Sequence, residues 1–306
     1  MTTIAQKTPK IDASGITGRK AKNTWFDYLN WVIMTLVVLA TLYPFWYLVV
    51  QSFSSTDAIN SGAVSLWPVG FNVDTYRIVM AKPNFFRYYG NTIFYVVVGT
   101  VIAVASTAIL AYPLSKKNLR LNKFFTPFVA FTMYFSGGMV PNFIIIGTTL
   151  GMRDSIWALL IPGAISAYNV LLMRSFFQSI PTELEEAASI DGMSTFGIFL
   201  KIVVPLSKPI FATMILFNAV GIWNNWFSTF LYIDSSTKWP ISYFLRQVIY
   251  GATSPQDLAS SMEEASTITA NVKSCCMVIT AAPIICVYPF VQKYFVQGMM
   301  LGSVKG

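Results

Sequence analysis

Read for hydrophobic and polar positions, the chain alternates long apolar runs with short polar intervals. Six runs approach the roughly 20 residues a helix needs to cross a bilayer core about 30 Å thick. They cover positions 29–51, 91–112, 124–147, 155–178, 209–233 and 272–295. Positions 1–28 are polar and carry Lys7, Lys10, Arg19, Lys20 and Lys22. The run that follows is too long for a secretory leader. It ends in Tyr43-Pro44-Phe45-Trp46-Tyr47, so the pattern predicts an uncleaved span with its aromatic end at an interface. The third run carries Gly137-Gly138-Met139-Val140-Pro141 at its middle, which kinks or unwinds a helix. A tolerated kink and a functional break both fit it, and a re-entrant hairpin would reverse the side of everything downstream.

Composition agrees with the spans. Of 306 residues 55% are hydrophobic and 11% charged, where a soluble protein carries about 25% charge. The expected fold class is an all-α polytopic membrane protein. Charge then sets its orientation. With positions 1–28 placed inside, the inner segments collect the five tail cations, Lys116, Lys117, Arg120, Lys123, Arg174, Lys201, Lys208, Lys293 and Lys305. The outer segments keep Arg77, Lys82, Arg87, Arg153, Lys238, Arg246 and Lys273. The positive-inside rule therefore predicts both termini in the cytoplasm. It also accounts for the net charge of +8 without nucleic acid.

Several chemistries drop out. The chain has no histidine, and its three cysteines, Cys275, Cys276 and Cys286, lie in one apolar run as expected of small core residues. No phosphate-binding glycine loop or metal-spaced cluster is present. No Asp or Glu occupies the centre of a span, where ion-coupled carriers place relays. The chain is thus expected to be no enzyme and to bind no metal or cofactor, with any ATP and Mg handled by another chain.

The segment 179–208 carries the most specific pattern. Thr182 and Glu185 have capping-box spacing, which predicts a helix from Glu183 with Glu183, Glu185 and Glu186 at its positive end. Gly192 is placed to stop it. Leu184, Ala187 and Ala188 are expected to form one small apolar face. A second short helix should carry Phe196, Phe199, Leu200 and Val203 on one side and end at Pro205. Helices this short need a support, and an interfacial helix–turn–helix and a partner's groove both supply one.

Glu186-Ala187-Ala188, three residues, Gly192, nine residues, Ile202-Val203-Val204-Pro205 resembles the EAA loop of permease subunits in binding-protein-dependent ABC importers, EAA-x3-G-x9-I-x-L-P, departing from it only at Val204. The resemblance extends from Leu29 to Gly306. Within that superfamily the chain resembles the MalG-type subunits of carbohydrate-uptake importers, through Ile202–Pro205 with Leu206-Ser207-Lys208-Pro209, Trp223-Asn224-Asn225-Trp226-Phe227 and Val304-Lys305-Gly306. Tyr134-Phe135-Ser136-Gly137-Gly138 is similar to a subgroup associated with complex oligosaccharides.

The resemblance implies a six-span, MetI-like type I permease domain over 29–297, with a coupling loop at 179–208 and a cytoplasmic tail at 298–306. Its implied partners are membrane lipid, a second MalF-like permease in a heterodimer, two copies of a cytoplasmic ATPase and an extracytoplasmic solute-binding protein. Solute would pass by alternating access. Glu183, Glu185, Glu186, Ala187, Ala188, Asp191, Gly192 and Pro205 would couple to the ATPase, and Val304, Lys305 and Gly306 would insert between its two copies. Asn218, Trp223, Asn224, Asn225 and Trp226 would wall the solute path. On a continuous helix Asn224 and Asn225 point about 100° apart, and amides that join helices, with tryptophans at an interface, fit these residues as well. A permease for amino acids, polyamines or peptides shares the loop. A sensory membrane protein does not.

Overall fold

A computed structural model describes residues 24–250 and 270–303. Among the described residues the chain is helical, with no strand. Two helices are long and apolar enough to cross a membrane alone, or up to four segments if each of two bent pairs is one span. The chain divides at Tyr47 into two compact units. In the first, residues of α1 (Trp25–Ser52) expose nearly every large apolar side chain, as suits a lipid-facing helix, and Tyr43 stacks on Tyr47.

The second unit opens with the last turn of α1, followed by the short helices α2 (Thr56–Asn60) and α3 (Asp74–Met80). Its axis is α4 (Phe85–Ser115), 31 residues long, or about 46 Å at 1.5 Å per residue. Small and β-branched residues line the buried side of α4: Gly99, Ala103, Thr107, Ala108 and Ala111. A Cβ added at Gly99 would stand 2.7 Å from Ile222 Cδ1 and 3.1 Å from Leu160 Cδ2. Close approach of neighbouring helices therefore depends on that missing side chain.

Three expected spans are not single helices. The third is α5 (Asn122–Tyr134), then α6 (Met139–Phe143) continued by a π-turn (Ile144–Thr149), with a 107° bend between. Gly138, at φ +87°, makes that break. The expected fourth is divided into α7 (Trp157–Leu160) and α8 (Ala167–Gln178), separated by a stretch containing Pro162-Gly163. The expected fifth is α12 (Lys208–Trp223) followed after a gap by α13 (Phe227–Tyr232). Continuous apolarity does not report these interruptions, because a buried coil and a buried helix need the same side-chain polarity. Ahead of α12 come α9 (Thr182–Ile190), α10 (Thr195–Ile198), a π-turn (Phe199–Val203) and α11 (Val204–Leu206). The segment Thr195–Leu206 meets α12 at 82°. Pro205 has no N–H to give Lys201, which suits the wider turn just before it. The chain closes with α14 (Ile241–Tyr250) and α15 (Ala270–Ser303).

The core is built at both ends of α4. Phe85 and Tyr88 pack with Val79, Trp223, Phe244, Leu245, Cys275 and Cys276. Ala111, Tyr112 and Leu114 pack with Met173, Phe177, Ala188, Phe199 and Val203. Cys275 and Cys276 are the core residues expected, whereas Cys286 is exposed. Pro283 within α15 removes the donor for the carbonyl of Ile279. Tyr89 replaces it, its hydroxyl donating to that carbonyl at 2.8 Å, and Trp223 Nε1 donates to the adjacent Thr280 carbonyl at 3.1 Å.

Candidate functional site

The coupling loop forms a helix, but not by the cap its sequence suggests. Helix α9 starts at Thr182 after Pro181, with no side-chain cap. The Glu185 carboxylate turns instead to the end of α4. It accepts from Lys116 Nζ at 2.5 Å on both oxygens and from the Tyr112 hydroxyl at 3.0 Å. Lys116 Nζ also lies 4.4 Å from the centroid of the Tyr112 ring. A charged pair one turn away outcompetes a lone backbone N–H for the carboxylate.

The C-terminal stop forms as expected. Gly192 has φ +82°, its N–H donates to the Ser189 carbonyl at 3.1 Å, and the Met193 N–H donates to Ala188 at 3.0 Å. These are the two bonds of a Schellman motif, and Gly supplies the left-handed residue it needs. The expected apolar face is divided. Ala188 is buried, while Leu184 and Ala187 are exposed beside Ile190 at 86%. Glu183, Glu186 and Asp191 are also exposed and form no ion pair among the described residues. In the next segment Phe199 and Val203 are buried, but Phe196 and Leu200 face outward, because the π-turn rotates the helix partway through. Helix α9 thus presents acids and apolar side chains on one side and is tied down by Glu185 and Ala188 on the other.

The proposed path residues separate into different roles. Trp223 is buried against Tyr89 and bonded to α15, so it joins helices. Asn218 returns its amide to the Met214 carbonyl of its own helix at 2.8 Å. Asn224 and Asn225 do not sit on a continuous helix, because α12 stops between Trp223 and Asn224. Asn224 donates back to the Val220 carbonyl and is exposed. Asn225 accepts from the Ser228 N–H at 3.1 Å and donates to the Ser228 hydroxyl at 3.0 Å, which caps the start of α13. It also lines a cleft with Thr92, Tyr95, Leu159, Ile222, Thr229 and Pro240. The Thr229 hydroxyl in that cleft has no hydrogen-bond partner among the described residues. The Trp226 ring lies under the Arg246 guanidinium, 3.4 Å from its centroid.

Beside the cleft, sequence reasoning missed a polar knot between two loops. Asp154, at φ +52°, accepts from the Asp234 and Ser235 N–H groups at 3.1 and 2.9 Å and from the Ser235 hydroxyl at 2.5 Å. Lys238 Nζ donates to its carboxylate at 2.7 Å and also to its carbonyl. Arg153 makes a two-pronged pair with Asp234 at 2.9 and 3.2 Å. Desolvation pushes the Asp154 carboxyl up, but Lys238 and Ser235 together outweigh it and hold it well below the usual carboxylate range. The partners are about 80 residues apart in sequence, so spacing carries no signal for them. Val304, Lys305 and Gly306 lie outside the described residues.

A helical, strongly apolar protein with a short acidic helix offered outward at one end of its bundle is built to sit in a membrane. Residues 100–301 match the family described as binding-protein-dependent transport system inner membrane component, and the chain belongs to it. It is 41% identical over 281 residues to protein LplC of Bacillus subtilis, covering 92% of this chain and 95% of that one. It is 38% identical over 286 residues to the polygalacturonan/rhamnogalacturonan transport system permease protein YtcP of the same organism, covering 93% and 100%. A solved bacterial ABC transporter involved in the import of the acidic polysaccharide alginate superposes with a TM-score of 0.79 at 35% identity, covering 89% of this chain and 96% of that one.

Proposed function

We propose that this chain is a permease subunit that passes an oligosaccharide across the bacterial cytoplasmic membrane by alternating access. The observation that carries the reading is the two-sided helix α9, bound inward through Glu185 and Ala188 and open outward through Glu183, Ala187 and Ile190. Such a helix suits a cytoplasmic ATPase present in two copies, which holds the ATP and Mg. A second, MalF-like permease completes the pore, and a solute-binding protein delivers the cargo outside. Six spans with both termini in the cytoplasm put α9 on the ATPase side and the Asp154 knot on the delivery side, in keeping with the Lys and Arg distribution.

The relative named for polygalacturonan and rhamnogalacturonan transport and the alginate transporter support a carbohydrate cargo. Asn225, Thr92 and Thr229 line a water-sized cleft, which puts polar groups beside the proposed path. In this arrangement the sugar path runs past Asn225 and Trp226, while Trp223 supports the wall. Asp191, Gly192 and Pro205 shape the coupling loop, and Val304, Lys305 and Gly306 reach the ATPase pair.

The test is uptake by the purified complex in vesicles, with neutral and uronate-containing oligosaccharides beside amino acids, peptides and polyamines. Oligosaccharide uptake that requires ATP and the binding protein is expected. Uptake of one of the other solutes, with none of the sugars, overturns the carbohydrate reading.

A further inference from the structure

Helix α9 is only nine residues long and buries one side chain, Ala188. Isolated helices of that length are marginal in water, and one buried methyl contributes only about 1 kcal/mol. A load placed on its outer face would peel it off unless something else held it. Glu185 is the only one of its three glutamates turned inward, and the site it meets is already rigid. Tyr112 is buried, with its ring 4.9 Å from Phe199 and 6.3 Å from Phe177. Lys116 and Glu185 retain only 26% and 14% of their side-chain exposure. Their pairing is therefore shielded from solvent, unlike a surface ion pair.

The same end of α4 is a junction for two further helices. The carbonyl of Leu114 accepts from Arg174 Nε of α8 at 2.8 Å and from Asn122 Nδ2 of α5 at 3.1 Å. Asn122 Nδ2 also donates to the Lys116 carbonyl at 2.7 Å. These donors satisfy carbonyls that a helix C-terminus leaves open. Four elements thus converge on residues 112–116, and Glu185 is the polar link of α9 to them.

We infer that Glu185 is a positioning residue that locks the coupling helix to the end of α4 through Lys116 and Tyr112, so that a displacement of α9 is carried as one body into α4, α5 and α8. The inference rests on the reading of α9 as the ATPase-facing helix and adds the route by which its motion enters the membrane helices. Glu183 and Glu186, on the open side, are left for the ATPase. Glu185 is occupied by the chain itself.

The experiment uses the complete complex with Cys275, Cys276 and Cys286 replaced by alanine and spin labels at Ser189, on α9 but off its ATPase-facing side, and at Ile109, both exposed. The label separation is measured without nucleotide and after trapping with ATP and vanadate. With the lock intact the separation should be the same in both states, and in Lys116→Met and Glu185→Gln it should differ between them. In vesicles, uptake per ATP hydrolysed should fall at least about fivefold in Lys116→Glu and in Glu185→Lys, within the usual range of coupling between sites. The combined exchange, Lys116→Glu with Glu185→Lys, should recover most of it.

A separation that changes by several ångströms in the unmutated pair overturns the inference. So does a separation unaffected by Lys116→Met, or an exchange no better than its single variants. If a charge reversal prevents assembly, Glu185→Gln decides through the label separation, because it keeps the side chain's size. That arm needs no transported solute. Failure of every sugar in the unmutated complex therefore counts against the carbohydrate reading alone.

Discussion

The Tyr89 hydroxyl occupies the carbonyl of Ile279 that Pro283, four residues further along α15, leaves without its helical donor. The bond is partly buried between α4 and α15, so water replaces it only poorly when it is lost. Tyr89→Phe should therefore destabilise the solubilised complex by about 1–3 kcal/mol, the cost of a buried acceptor left unpaired. Adding Pro283→Ala restores an N–H within the helix and should return part of that loss. Thermal unfolding of the two single variants and the double variant checks this, and a purely additive result would mean that the two residues are not linked.

Gly192→Ala places a Cβ in open space but at φ +82°, so its cost of about 1–2 kcal/mol comes from the left-handed backbone alone. The effect should fall on the end of α9. Membrane insertion should persist while solute-stimulated ATPase activity drops, more so in Gly192→Trp. Glu186→Lys should reach the same result from the exposed side by repelling the ATPase. Copurification of the ATPase together with its stimulation by the loaded binding protein measures both effects.

Asn225→Leu and Asn224→Leu should differ. The first removes the cap of α13 and fills the cleft beside Thr229, so uptake should fall or sugar preference should change. The second removes only an exposed bond back into its own helix and should leave transport near normal. Initial uptake rates over a range of sugar concentrations separate them. The expectation of unequal roles now rests on the place where α12 ends rather than on angular separation along a continuous helix.

The knot at Asp154 should tolerate mild acid. Its carboxyl titrates below the ordinary carboxylate range, so its contribution is complete above the unfolded value and is lost only as pH falls through the depressed one. Stability of the complex should therefore show no loss from this group between pH 8 and about pH 5. Asp154→Asn keeps a residue that accepts the left-handed backbone but removes the charge. It should lower stability throughout that window, which unfolding measured at several pH values tests.

Reporter fusions at Asn60, Lys117, Asp154 and Asp191 should alternate outside, inside, outside, inside, in line with the charge asymmetry. An extracytoplasmic signal at Asp191 would reverse the assignment of α9 to the ATPase side. Ser254, the next position in the series, lies outside the described residues and is expected outside.

What the sequence determined by itself was chemistry that depends on composition and on near neighbours. Low charge and apolar runs specify solubility in a bilayer, whatever the path of the backbone. The stop at Gly192 could be read directly because a left-handed residue is a local demand. The break at Gly138 was legible in Gly137–Pro141, but tertiary structure alone decided the breaks of the fourth and fifth runs and which way Glu185 turns. Thr182 and Glu185 have capping-box spacing, yet Lys116, 69 residues away in the chain, takes the carboxylate because a half-buried cation binds it more strongly than an exposed N–H. The knot at Asp154 is likewise held by partners distant in sequence, whereas the gap between α12 and α13 is closed locally by Asn225 and Ser228. In an apolar environment most polar groups find a partner, and folding chooses which one.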